Sequence, residues 1–257
     1  MGNSTQPVDF PGSPQDDSSP IPHPSEEYLK NMSSSQPTDS SLLPGHEPVY
    51  EGQFGSFSIT PSDRRGVWIY RLALNGAALS FAIGTAIVVL GGESFTNLQR
   101  LSGCYAVFWL CLGIALATIH IYLVVLHRVL QVFWLVGGLA SLWISLSQPD
   151  PLGLYVYQHP TAILGVGFTF AALTGVFFKE GFCFDRWETK LLTPIVPGLL
   201  LGHLGGLLPA AVEQGGLILW AILFVSFGLN KFGQAVPGDI GDKSVFEYLK
   251  TAKDQPV

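Results

Sequence analysis

"WIYRLALNGAALSFAIGTAIVVLG", residues 68–91, carries one charged side chain, Arg71, in a run otherwise built from apolar and small residues. A helix must supply ~20 mainly apolar residues to cross ~30 Å of hydrocarbon at ~1.5 Å per residue. This run is long enough. Inside a bilayer there is no water to satisfy backbone amides, so a single crossing segment must bond within itself as a helix. Five further runs qualify on the same grounds: 102–125, 129–147, 160–178, 191–209 and 215–231. The expected fold is therefore all-α, a polytopic transmembrane helical bundle of six spans. Runs two and three are separated by "LHRV", which places a tight turn at His127-Arg128. Runs five and six meet around "AAVEQG", residues 210–215.

Composition agrees. Charged residues are 12% of the 257 and mean hydropathy is +0.37, well away from the quarter-charged make-up of soluble domains. The net charge of −6 is concentrated at the front, where residues 1–63 hold nine carboxylates and one lysine, Lys30. No basic patch suggests a nucleic acid partner. Of the thirteen Lys and Arg residues, six alternating spans put twelve on the side of the chain ends and Arg100 alone on the other. Cytoplasmic loops carry the cationic excess, so both termini are expected in the cytoplasm.

Outside the spans the chain divides into three. Residues 1–45 are an acidic Ser/Pro-rich tail, expected to be disordered because it cannot bury enough apolar surface to offset its ordering entropy. Residues 46–66 form a juxtamembrane segment, a short interfacial strand or coil. Residues 232–257 are a cytoplasmic tail with a short helix, capped by Asp242 or Ser244. Nothing at the front has the basic-then-apolar character of a secretory signal, nor the acid-poor character of a presequence, so uncleaved bacterial-type insertion is expected. Cys104, Cys111 and Cys183 form no CxxC pair.

Three features bear on function. The first is "FFKEGFCFDRWETK", residues 177–190, with three charges of each sign in twelve positions. Read as a cytoplasmic loop, it is either a plain water boundary or a docking platform. In the platform reading Phe182, Phe184 and Trp187 anchor a membrane-protein partner among Lys179, Glu180, Arg186 and Glu188, since aromatic and Arg side chains dominate interface energetics. A Cys183 nucleophile would need its base from His127.

The second is His203, an imidazole within run five, where an ionisable group is a functional candidate by default. It reads as an interhelical hydrogen bond, as a relay with Glu213, or as an axial ligand of haem or chlorophyll with His120 as the second ligand. The third is Gly198-x3-Gly202-x3-Gly206, a small-residue ridge suited to close helix packing.

"GQFGSFSITPSDRRGVWIYR", residues 52–71, and "FFKEGFCFDRWETKLLTPIVPGLLLGHL", residues 177–204, resemble a family of uncharacterised integral membrane proteins of cyanobacteria and plastids. The resemblance covers about residues 48–235. It implies a helical membrane protein of a bacterial plasma membrane or thylakoid and no activity, so it assigns no catalytic residue, metal or cofactor. The leading expectation is a non-enzymatic protein that binds or helps assemble a membrane complex through residues 179–190. A small-solute permease lined by Asn75, Thr118, His203 and Ser226 is the alternative, and a haem or chlorophyll carrier through His203 is the second.

Overall fold

The computed structural model describes residues 49–91, 94–121, 123–245 and 248. The tail expected to be disordered, 1–45, and the last residues of the C-terminal segment lie outside that set.

The chain enters as a hairpin. β1 (Val49–Gly52) pairs antiparallel with β2 (Gly55–Ser58). Helix α1 then runs from Pro61 to Gly91. Its start is set by Thr60-Pro61-Ser62-Asp63. The Asp63 carboxylate accepts from the Thr60 amide at 2.9 Å, and the Thr60 hydroxyl accepts from the Asp63 amide at 3.2 Å. This reciprocal cap, with proline in the first helical position, begins the helix six residues before the expected boundary at 67.

Next come α2 (Phe95–Thr118), α3 (Val124–Ser147), the short α4 (Leu152–Gln158) and a 3₁₀ turn, Pro160–Ala162. Then follow α5 (Ile163–Phe184), α6 (Trp187–Leu204), α7 (Ala210–Phe232) and the short α8 (Val236–Ile240).

Three turns differ from expectation. The α2–α3 turn falls at residues 119–123. His127 instead lies in the first turns of α3, where its Nε2 meets the Leu116 carbonyl at 2.6 Å and covers an open end of α2. The α6–α7 turn falls at residues 205–209, before "AAVEQG". The expected loop at 179–190 shrinks to Asp185 and Arg186, because α5 continues to Phe184. Asp185 takes a left-handed conformation, φ 53°, which stops α5 and aims the chain into α6.

Five helices are long and apolar enough to cross a membrane: α1, α2, α3, α5 with its preceding 3₁₀ turn, and α7. Helix α6, expected as a further span, has 18 residues and would extend about 27 Å, but its first turn holds Glu188 and Lys190. Pro194 and Pro197 lie in its interior, removing two amide donors from its ladder.

Around the bundle, α1 packs on α2 and α7, α7 on α6, α6 on α5, α5 on α3, and α3 on α2. Aromatic rings fill the centre. Phe81 meets Trp220 at a tilt at 4.3 Å, Phe108 stacks on Phe170 at 5.6 Å, and Phe177 meets Phe224 edge-on at 5.1 Å. The outside is just as oily: Leu72, Leu90, Trp143 and Leu146 are all exposed, far beyond the apolar patches a soluble protein shows.

Helices in lipid gain little from hydrophobicity and associate through close packing and hydrogen bonds. Helices α2 and α3 show both. Each of Trp109 and Trp134 donates its indole N–H to the other's backbone carbonyl, at 3.0 and 2.8 Å, with rings stacked at 4.3 Å. Gly113 and Gly138 make this room, since a Cβ on either would fall 2.4 Å from the facing indole. Nearby, the Tyr105 hydroxyl joins Ser141 of α3 and Thr169 of α5 at 2.7 and 2.9 Å.

Within this chain no other helix packs on the expected glycine ridge of α6. A Cβ on Gly198 meets nothing within 4 Å, and Gly202 faces Leu208 of its own turn. Gly206, φ 62°, is a helix stop. The Leu207 amide returns to the Gly202 carbonyl and the Gly206 amide to that of His203, the hydrogen-bond pattern of a Schellman motif.

Candidate functional site

Two polar clusters occupy opposite ends of the bundle. The larger lies at the end shared by the start of α1, the ends of α5 and α7, and α8. Arg71 grips Asp239 through Nε at 2.8 Å and Nη2 at 2.6 Å. Asp239 also pairs with Lys231. The Lys231 ammonium lies 2.6 Å from Glu180, and Glu180 accepts from Lys179 at 3.0 Å and from the Tyr70 hydroxyl at 2.9 Å. The charges therefore alternate along one chain: Arg71, Asp239, Lys231, Glu180, Lys179.

Lys231 and Glu180 have no exposed side-chain surface. The Lys231 ammonium also lies 4.0 Å from the centre of the Phe184 ring, a cation–π contact in a dry site. Asn75 locks the base of the cluster by donating to the carbonyls of Arg71 and Gly228. Alongside, the buried Glu188 accepts from Asn230 at 2.6 Å and stands 4.0 Å from Arg186.

Buried charges are tolerated only when paired and hydrogen-bonded, because desolvation of a lone ion costs several kcal/mol. The alternation meets that requirement and ties four elements together. Lys231 also sits in the final turn of α7, where the carbonyl end attracts a cation.

The burial changes the reading of the platform. Lys179, Glu180 and Glu188 point inward and are part of the fold. Phe184 lies under the two lysines. Phe182 and Trp187 point outward, 82% and 61% exposed, on either side of the Asp185–Arg186 turn. Arg71, Lys231, Asp239 and Tyr70 were not among the sequence candidates. One signal was available, since a charge inside an apolar run, as Arg71 is, marks a site on its own.

This end also joins the two termini of the membrane domain. The hairpin-turn amides of Gln53 and Phe54 donate to Asp242 at 2.6 Å and Ser244 at 3.0 Å. Lys243 reaches Asp63 at 2.8 Å, and Phe54 stacks on Tyr248 at 4.1 Å. Gly52 permits the approach, because a Cβ there would fall 2.2 Å from the Asp242 carboxylate. Of the two residues named as caps, Asp242 accepts from the Ser244 amide at 2.9 Å, and the Ser244 hydroxyl serves the hairpin instead.

At the opposite end, His203 of α6 and Glu213 of α7 meet at 2.7 Å through Nδ1. Tyr157 of α4 stacks on the imidazole at 5.3 Å. The Nε2 is buried without a hydrogen-bond partner among the described residues. Pairing of His203 with Glu213 was one of the sequence readings; Tyr157 was not foreseen. His120 is far from this pair, against Gly66 at the start of α1. The two imidazoles stand at opposite ends, so they cannot ligate one macrocycle. Burial pushes the His120 ring below its ordinary pKa, opposed by the Asp63 carboxylate.

Of the residues named for a permease path, Asn75 and His203 lie at opposite ends of the bundle. Asn75 is committed to the α1–α7 seam, Thr118 bonds back to Ile114 at 2.8 Å, and His203 belongs to the far end.

Apolar rods, ion-paired at one end and filled with aromatic rings, define an integral membrane protein of the helical class. The model of the uncharacterized integral membrane protein family DUF2301 matches residues 114–248, and the chain belongs to that family. The match spans the second part of the stretch where a resemblance was expected, and residues 48–113 lie outside it. No curated protein and no solved structure matches the chain.

Proposed function

We propose that this protein is a six-span, non-enzymatic membrane component that holds a second membrane protein against the corner where α5 meets α6, with both of its ends in the cytoplasm. The observation that carries the reading is the outward pair Phe182 and Trp187, standing on a buried ionic cluster. Phe178 stacks behind Phe182 at 6.3 Å. An open cleft of about 380 Å³ runs past them, bordered by Asp185, Lys190, Thr193 and Pro194. Paired opposite charges beside aromatic anchors suit a protein surface better than an acyl chain.

The orientation rests on the cationic excess at this end, and the six crossings on the hairpin's bonds to residues 242–244. An even number of passes is needed to return the chain there. A bacterial plasma membrane or a thylakoid fits the resemblance. The aromatic-filled centre, and the separation of Asn75 from His203, favour this reading over a permease.

A photoreactive residue at Phe182 or at Trp187, irradiated in native membranes, is expected to give one protein adduct of the same mass from both positions. Leu139, exposed on α3, is the control and should label lipid alone. Lipid adducts from all three positions would refute the docking reading.

A second reading rests on His203. With Nδ1 held by Glu213, the imidazole is fixed in the tautomer that offers Nε2 as a ligand, the arrangement that serves metal-binding histidines. A haem or chlorophyll would then be held by His203 without His120. The expected result is a visible absorption band in the purified protein, at one macrocycle per chain, lost in His203→Ala. A preparation that stays colourless after reconstitution with haem and with chlorophyll removes this reading.

A further inference from the structure

We infer that the outer groove between α1 and α2 is a binding site for one anionic phospholipid, its acyl chain in the groove and its phosphate at Arg100. The groove, about 550 Å³, faces outward. Its floor is made of small residues, Gly76 and Ser80 of α1 with Gly103 and Cys104 of α2, and Leu79, Ile83 and Val107 stand as exposed walls. The floor is held shut from behind, because the Ser80 hydroxyl donates to the Cys104 carbonyl at 2.7 Å and leaves no polar group that an acyl chain would have to desolvate.

Length fits one leaflet. From Gly76 to Ile87 the groove follows eleven residues of helix, about 16 Å. Half of a ~30 Å hydrocarbon slab is about 15 Å.

Charge selects the headgroup. Arg100 closes the end of the groove nearest the α1–α2 turn, is exposed, and makes no ion pair or hydrogen bond through its side chain among the described residues. It is also the one Lys or Arg between residues 72 and 127, so no second cation of that stretch competes for the phosphate. A guanidinium on a long apolar stem, five residues past the start of α2, reaches the headgroup layer by snorkelling. There its planar fork matches two phosphate oxygens. The groove could hold any acyl chain, and Arg100 is what makes the site prefer an anion.

The test is native mass spectrometry of the full-length protein, titrated with phosphatidylglycerol and with phosphatidylcholine of identical acyl chains. The wild type is expected to retain one phosphatidylglycerol with roughly fivefold preference, the attraction of one cation at an anionic interface. Arg100→Gln should bring the two lipids to parity. Gly103→Leu should weaken both, since a side chain there enters open groove and meets nothing within 4 Å that would disturb the fold. Equal retention of the two lipids by the wild type, which means annular lipid only, overturns the site. So does a preference that survives Arg100→Gln, or binding unaffected by Gly103→Leu.

Discussion

Glu180→Gln is expected to cost about 3–5 kcal/mol, the penalty for leaving a buried charge uncompensated, and to leave little folded protein in detergent. The reason is the order of charges. With Glu180 neutral, Lys179, Lys231 and Arg71 share the single carboxylate of Asp239 inside a dry cluster. Lys231→Met should be far milder although Lys231 is just as buried. Its removal divides the chain into two neutral pairs, Arg71–Asp239 and Lys179–Glu180, and methionine fills the space over Phe184. The double variant Glu180→Gln/Lys231→Met should recover much of what Glu180→Gln alone loses. Thermal unfolding of the purified variants, followed by tryptophan fluorescence, checks the ranking. A Lys231→Met variant as unstable as Glu180→Gln would mean that burial, and not pairing, governs the cluster.

Gly137→Ala is expected to destabilise by about 1–3 kcal/mol, the usual cost of forcing extra volume into a packed interface. Its Cβ would lie 2.2 Å from the Thr169 hydroxyl and 2.3 Å from the Thr169 backbone nitrogen. A side chain can rotate away, but the backbone of α5 cannot, so α3 and α5 must part. That also opens the hydroxyl cluster of Tyr105, Ser141 and Thr169. Gly198→Ala is the paired control and should be silent, because its Cβ enters open space. A melting temperature unchanged in Gly137→Ala, or lowered equally in Gly198→Ala, would contradict the assignment of the seam.

That contrast shows what can be read from residues in order and what cannot. Apolar length marks helices α1, α2, α3, α5 and α7, because the bilayer imposes one thickness on all of them. Local chemistry is equally readable where it acts within a few positions. Thr60-Pro61-Ser62-Asp63 is a start signal, and the expectation that α1 begins at 67 passed over it.

Contacts between helices obey no such rule. GxxxG spacing describes one face of α6 but says nothing of what lies opposite, and close approaches occur at Gly113, Gly137 and Gly138, none of them in a GxxxG pair. The ionic cluster is less visible still. Lys179 and Glu180 look like a water boundary when their neighbours in sequence are considered. They become interior once Lys231 and Asp239 arrive from α7 and α8. Glu213 was read with His203 as a relay, whereas Tyr157 comes from α4, 46 residues before His203.

The hairpin has a consequence for how the molecule is made. Its strands are synthesised ahead of every membrane helix, yet the groups that receive its turn amides lie 189 and 190 positions downstream. An isolated two-stranded ribbon is marginal in water. During biosynthesis the ribbon must therefore wait, and it gains its lasting partners after α7 has been delivered and the chain has returned to the starting side. A closed ribbon thus marks a chain whose residues 242–244 have reached the side on which the hairpin was left.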